Sequence, residues 1–162
     1  MKIFVVTSLV LVLSGTALRA QVSERGTRIG LGIEALSGEK SRGIGYSLQI
    51  QSPVSERINW TVTLGKTDLR SSTKVFPRPK YQYLLLKGGA RYYFDQTFYL
   101  AGDIGAAFDQ VKHGNTYLAL SPGVGAEVTA FGANRVDLGF RYERYTTNIN
   151  FLAFRLALNF GY

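Results

Sequence analysis

Eleven carboxylates, nineteen basic side chains, one histidine and no cysteine bound the chemistry open to this 162-residue chain. His113 has neither a second histidine nor a thiolate with which to hold a transition metal, so no metal site and no cofactor is expected. A hydrolytic base would need a nucleophile and an orienting acid beside it, and His113 is read as a surface-loop residue. The charged groups say more. Arg28, Lys87, Arg91, Arg141 and Arg155, with Glu34, Asp103, Glu127, Asp137 and Glu143, fall at alternate positions among small or polar residues. Five bases against five acids cancel. If they share one enclosed space they must pair, because an isolated buried charge neutralises or unfolds its host. An acid with a basic neighbour is a poor general acid or base, so paired-carboxylate catalysis is disfavoured.

The elements that carry these groups have period two. In the last stretch Leu152, Phe154, Leu156, Leu158, Phe160 and Tyr162 share one face; Ala153, Arg155, Ala157, Asn159 and Gly161 share the other. A helix of this sequence would have no continuous apolar side, whereas a strand with lipid on one face and a crowded polar space on the other fits it. Seven further segments read the same way. Ile29–Ala35 sets apolar residues against Arg28 and Glu34, and Ile44–Ile50 against Gly45, Ser47 and Gln49. Ile58–Leu64 alternates with Asn59, Thr61 and Thr63. Tyr83–Phe94 is less regular, with Lys87, Gly89, Arg91 and Tyr93 on the polar side. Phe98–Phe108, Leu118–Val128 and Val136–Tyr142 complete the set. Eight antiparallel strands are predicted. Pro122 cannot donate to a ladder, so a bulge or bend is expected there, eased by Gly123 and Gly125.

Connections fall into two kinds. Ser52–Glu56, Asp95–Thr97 and Gly132–Asn134 read as tight turns. Lys66–Lys80 reads as the longest connection, with Asp109–Asn115, Ser37–Arg42 and Arg144–Asn148 on its side. Short turns on one side and longer loops on the other are the habit of outer-membrane barrels, whose short turns are periplasmic. An even strand number then puts both termini in the periplasm.

The start of the chain gives an address. Lys2 precedes the apolar run Ile3–Leu13, and Ser14, Gly15, Thr16 and Ala17 lead to Ala20, which suits cleavage before Gln21. The run is too short for a spanning helix, so residues 1–20 are expected to be a removed signal peptide and residues 21–162 one barrel domain. The absence of cysteine excludes disulfide staples and a lipid-anchored lipoprotein. A barrel closed in lipid needs no staples.

With its alternating strands, the aromatic strand ends Tyr92, Phe94, Tyr142, Phe160 and Tyr162, and the closing RLALNFGY, the mature chain resembles the small bacterial outer-membrane β-barrel family of the OmpX and OmpA-domain type. The resemblance implies an all-β, antiparallel up-and-down transmembrane β-barrel of about eight strands. It also implies that Phe154, Leu156, Leu158, Phe160 and Tyr162 form the signal read by the barrel-assembly machinery, with periplasmic chaperones as further partners. Ala157 stands where that pattern often has Gly. Lipid A deacylase barrels would require a His-x-Ser spacing, and Asn115 stands where the Ser would be.

Without the signal the charge is +6, from 17 basic and 11 acidic residues. The turns and the interior each sum to zero, so the excess falls in the outer loops. Lys66, Arg70, Lys74, Arg78 and Lys80 stand there against Asp68, placed to meet lipopolysaccharide phosphates. Nucleic acid is not an expected partner at that address. Eight strands leave an interior about filled by side chains. The expected function is therefore a non-enzymatic outer-membrane barrel with a plugged lumen and a structural, adhesive or envelope-stress role. A narrow channel for small solutes and a lipid A-modifying enzyme are the alternatives. A soluble lipocalin-like barrel would invert the pattern, with apolar side chains inside.

Overall fold

The alternation of apolar and polar residues becomes a single closed sheet in a computed structural model, which describes residues 26–39, 41–71, 80–111, 114–146 and 149–161. The expected signal peptide, with Lys74, Arg78, His113 and Tyr162, lies outside the described residues. The strands are β1 (Arg28–Ser37), β2 (Ser41–Pro53), β3 (Ile58–Ser71), β4 (Lys80–Tyr93), β5 (Phe98–Asp109), β6 (Thr116–Phe131), β7 (Asn134–Tyr145) and β8 (Asn150–Gly161). Each pairs antiparallel with the next, and β8 closes on β1 from Arg28↔Gly161 to Ser37↔Leu152. Closure removes every sheet edge, so each of the eight strands has a partner on both sides.

Parity decides which side chains go inside. Leu31 and Ile33 of β1, Leu64 of β3 and Phe154 of β8 project outward and are exposed, Ile33 by 55% and Phe154 by 52%. Their neighbours Glu34, Thr63 and Arg155 are buried in the lumen. Polar in and apolar out is the arrangement of a barrel surrounded by lipid, and it removes the inverted, lipocalin-like reading. Among the described residues no helix is long and apolar enough to cross a membrane.

Three expectations about local structure need correction. Lys66–Lys80 is not one loop: β3 continues to Ser71 and β4 begins at Lys80, with Lys66↔Leu84 and Arg70↔Lys80 in register. Only residues 72–79 connect them. The charged residues of the rim still alternate with inward Thr67 and Leu69, and the ladder follows that alternation rather than the loss of apolar character. Ser37–Arg42 is likewise a short hairpin, since Ser37 and Arg42 are themselves paired. At Pro122 there is no bulge. Pairing with β7 lapses at Ser121 and Pro122 and resumes in the same register at Gly123↔Arg141. The missing N–H costs rungs without inserting a residue. The register shift instead lies between Thr129 and Phe131, beside the two-residue turn where Gly132 has a φ of 56°.

Candidate functional site

The ten lumen charges come from six of the eight strands. Glu34 comes from β1, Lys87 and Arg91 from β4, Asp103 from β5, Glu127 from β6, Asp137, Arg141 and Glu143 from β7, and Arg155 from β8; Arg28 opens β1. Each points inward because it has the parity of the lumen, and each is at most 6% exposed. Nine ion pairs join all ten in one chain. Arg28 Nη1 lies 3.5 Å from Glu127 Oε2, and Arg91 bridges Glu127 Oε1 at 2.7 Å and Asp137 Oδ2 at 2.8 Å. Arg155 Nη1 donates to the same Asp137 oxygen at 2.7 Å, and its Nε lies 3.8 Å from Glu34. Glu34 also accepts from Arg141 Nη2, and Arg141 reaches Asp103 at 3.8 Å and Glu143 at 3.6 Å. Lys87 Nζ ends the chain on Glu143 Oε1 at 2.7 Å.

Neutral polar groups add hydrogen bonds to the acids. Tyr99 donates its hydroxyl to Asp137 Oδ1 at 2.6 Å, Thr61 donates to Asp103 at 2.9 Å, and Ser121 donates to Glu143 Oε2 at 2.6 Å. Gln51 and Asn159 donate to Glu127 at 3.0 and 2.9 Å. The Arg91 guanidinium also lies 4.3 Å from the centre of the Tyr99 ring, a cation–π contact. Tyr99 fits only because the facing position on β6 is Gly125: a Cβ there would stand 2.3 Å from the Tyr99 hydroxyl and 2.7 Å from the Leu138 carbonyl oxygen.

Above the charges, toward the loop end, the lumen turns apolar. Leu36, Leu69, Tyr83, Leu85, Tyr145 and Phe151 meet in one buried cluster. Tyr83 packs edge-on against Tyr145 with ring centres 5.2 Å apart, and Tyr145 against Phe151 at 5.3 Å. Sequence reasoning did not find this lid. Its signal was present: Leu36, Leu85, Tyr145 and Ala153 sit two residues from Glu34, Lys87, Glu143 and Arg155, hence on the same face. Asp109 was also misplaced. It ends β5 inside the barrel, 6% exposed, and its Oδ1 caps the following turn by accepting from the Val111 N–H at 2.8 Å.

The outer face at the loop end carries a different kind of site. Arg42 on β2, Arg70 on β3 and Lys80 on β4 are directly opposite one another in register and all exposed. Lys66 lies lower on β3, opposite Tyr46 and Leu84. Two acids are near: Asp68, whose carboxylate accepts from Gln82 Nε2 at 2.6 Å, and Glu39, beside Arg42 and Arg70 in a shallow cup of about 910 Å³. None of the nine ion pairs among the described residues includes Arg42, Arg70 or Lys80. Sequence reasoning had Lys66, Arg70 and Lys80, placed them in a loop, and left out Arg42, which only the register brings beside Arg70. The described members of the closing row, Phe154, Leu156, Leu158 and Phe160, all lie on the outer face of β8. Among the described residues no cluster of side chains could hold a metal ion.

No protein-family model matches the chain, and no curated protein matches it in sequence. Solved structures match its shape. Neisserial surface protein A is 12% identical, covering 85% of this chain and 97% of its own, with a TM-score of 0.63. The Yersinia pestis outer-membrane protein Ail, in a phospholipid nanodisc, is 15% identical over 85% of this chain and all of its own, with a TM-score of 0.57. A de novo designed transmembrane β-barrel matches at 12% identity over 84% of this chain and 96% of its own, with a TM-score of 0.54. At such identities the likeness speaks for architecture. With eight closed antiparallel strands, a charged lumen and an apolar exterior, this chain has the fold of the small bacterial outer-membrane β-barrels.

Proposed function

We propose that the protein is a non-catalytic, non-conducting barrel of the bacterial outer membrane that acts through its outer surface, in a structural, adhesive or envelope-stress role. Its turn end and both termini face the periplasm. The observation that carries this reading is the filled lumen, where one chain of ion pairs joins five acids to five bases beneath an aromatic lid. A channel needs a water-filled path past its charged groups; here the charges are spent on one another. A lipid A-modifying activity would need a nucleophile beside a base at the lipid surface, and the one acid on the outer face of the described strands, Asp68, is engaged by Gln82.

The cations of the outer face, Lys66, Arg70 and Lys80 with Arg42, suit the phosphates of outer-leaflet lipopolysaccharide. Lys74 and Arg78 lie between them in sequence. Assembly would use periplasmic chaperones and the barrel-assembly machinery, with the row from Phe154 to Tyr162 as the signal.

The test is single-channel recording with the full mature chain refolded into planar phosphatidylcholine bilayers. A silent bilayer, with heat-modifiable gel migration showing a folded barrel, is the expected result. Steady open steps would overturn the plugged-lumen reading in favour of a narrow solute channel. Unchanged lipid A mass spectra with and without expression are expected; a new lipid A species would establish an enzyme.

A further inference from the structure

The turn end of the lumen holds a charge that the ionic chain does not use. Thr129 and Arg135 are paired across β6 and β7, Arg135 lies opposite Asn159 of β8, and Gly161 of β8 lies opposite Arg28 of β1. Thr129, Arg135 and Gly161 fall two positions from the lumen residues Glu127, Asp137 and Asn159, and Arg28 is itself buried, so all four turn inward at the mouth. With Gly26 and the turn at Gly132 and Ala133 they enclose a cup of about 240 Å³. The turn can fold down on β8 because Gly161 has no side chain: a Cβ there would stand 2.6 Å from the Ala133 carbonyl oxygen.

Arg135 is a further inward-facing base. Its Nη1 donates to the Gln96 carbonyl at 3.1 Å, which holds the side chain in place. None of the nine ion pairs among the described residues includes it. No acid lines the cup, and Glu127, which meets Arg28 from the lumen side, is already shared with Arg91.

We infer that this cup binds the terminal carboxylate of a peptide ending in a small residue, with Arg135 as its charge partner and the Thr129 hydroxyl as a second donor. One uncompensated cation calls for a monoanion, and a planar guanidinium meets a carboxylate with two parallel hydrogen bonds. A water's share of liquid is about 30 Å³, so a cup of about 240 Å³ has room for about eight waters. That volume suits a carboxylate and the residue that bears it, with the rest of the chain leaving through the mouth, and it excludes a bulky head group. Capture of a terminal carboxylate by backbone and cationic groups is a recurring mode of peptide recognition. The site lies at the opposite end of the barrel from the rim cations and goes beyond an outer-surface role. That the peptide is periplasmic rests on the orientation proposed above.

The test titrates the isotope-labelled full mature chain, in phosphatidylcholine nanodiscs that leave both barrel ends accessible, and follows amide resonances by NMR. The probes are acetyl-L-Ala-L-Ala, acetyl-L-Ala-D-Ala, the C-terminal amide of each, and acetate. Shifts at Gly132, Ala133, Arg135 and Gly161 should saturate with one of the two acids roughly fivefold or more tighter than with acetate, and with neither amide. The tighter acid distinguishes a protein end (L) from a cell-wall peptide (D). Arg135→Gln should abolish the preference for acid over amide, and Thr129→Val should weaken it. Arg57→Gln, in the turn between β2 and β3, should behave as wild type. Heat-modifiable migration reports folding of each variant; if Arg135→Gln does not fold, Thr129→Val decides. Acetate binding as tightly as either peptide would leave an anion cup only. Binding of the amides, wild-type binding by Arg135→Gln, or a silent titration, as when a segment of the same chain fills the cup, would equally overturn the site. Since the nanodisc exposes both ends, none of these results bears on the membrane orientation or on the plugged lumen.

Discussion

Two sets of cations on this barrel are arranged by opposite rules. Inside, each of Arg28, Lys87, Arg91, Arg141 and Arg155 has at least one carboxylate within 4 Å. Outside, Arg42, Arg70 and Lys80 line up against one another. The difference follows from solvent. A buried charge has lost its water and survives only with a partner, whereas rim cations keep water or lipid phosphate and can be spent on a ligand. Internal pairing therefore marks groups that hold the fold, and uncompensated alignment marks groups available for binding.

The largest effect should come from breaking the internal rule. Arg91→Glu would put a third acid beside Glu127 and Asp137 and abolish the stacking on Tyr99. Breaking a buried pair typically costs about 3–5 kcal/mol, and a reversal should reach at least that in urea unfolding of the folded barrel. Arg141→Glu should behave similarly, and adding Glu34→Arg should recover part of the loss. Wild-type stability in both single variants would mean that these side chains face solvent.

Next comes the lid. Phe151→Ala removes the ring that packs against Tyr145, and burial of this kind is worth about 3–5 kcal/mol on truncation. The bilayer should nevertheless stay silent, because the ionic chain below the lid is untouched. Open steps in this variant alone would make the lid, and not the charges, the barrier.

Gly125→Ala probes how tightly Tyr99 is packed among the lumen charges. Its new methyl would meet the Tyr99 ring and the Leu138 carbonyl, and overpacking costs about 1–3 kcal/mol. A double variant with Tyr99→Phe should show the same clash, whereas Tyr99→Ala should relieve its side-chain part. If Gly125→Ala costs as much in the Tyr99→Ala background as alone, the clash is with backbone only.

The smallest effect should come from the outer row and should change sign with the lipid. In phosphatidylcholine Arg70→Gln relieves like-charge contact with Arg42 and Lys80, a gain within about 1 kcal/mol. In bilayers containing lipopolysaccharide the same substitution should destabilise. The same small change in both bilayers would assign Arg70 to an ordinary solvated rim.

The chain's alternation was enough to determine an all-β barrel, its strand number and which side chains share a face; that the charged face turns inward was decided by the closed sheet. Period two leaves each strand only two faces, and only one face of Leu152–Tyr162 could meet lipid. Parity likewise put the ten lumen charges on one side before any contact was known. Partners were another matter. Glu34 and Arg141 are 107 positions apart, and no local pattern says which acid meets which base once eight strands close. The ends of the strands were hidden for a related reason: Lys66, Asp68 and Arg70 look like loop residues, but the ladder extends wherever two neighbours can pair, whatever their side chains. Register was the decision left to the tertiary structure. It carried Arg42 beside Arg70 and Lys80 and stacked an aromatic lid over the charges, because contacts between strands depend on how far each has slid along the next, and a strand's own sequence does not contain that number.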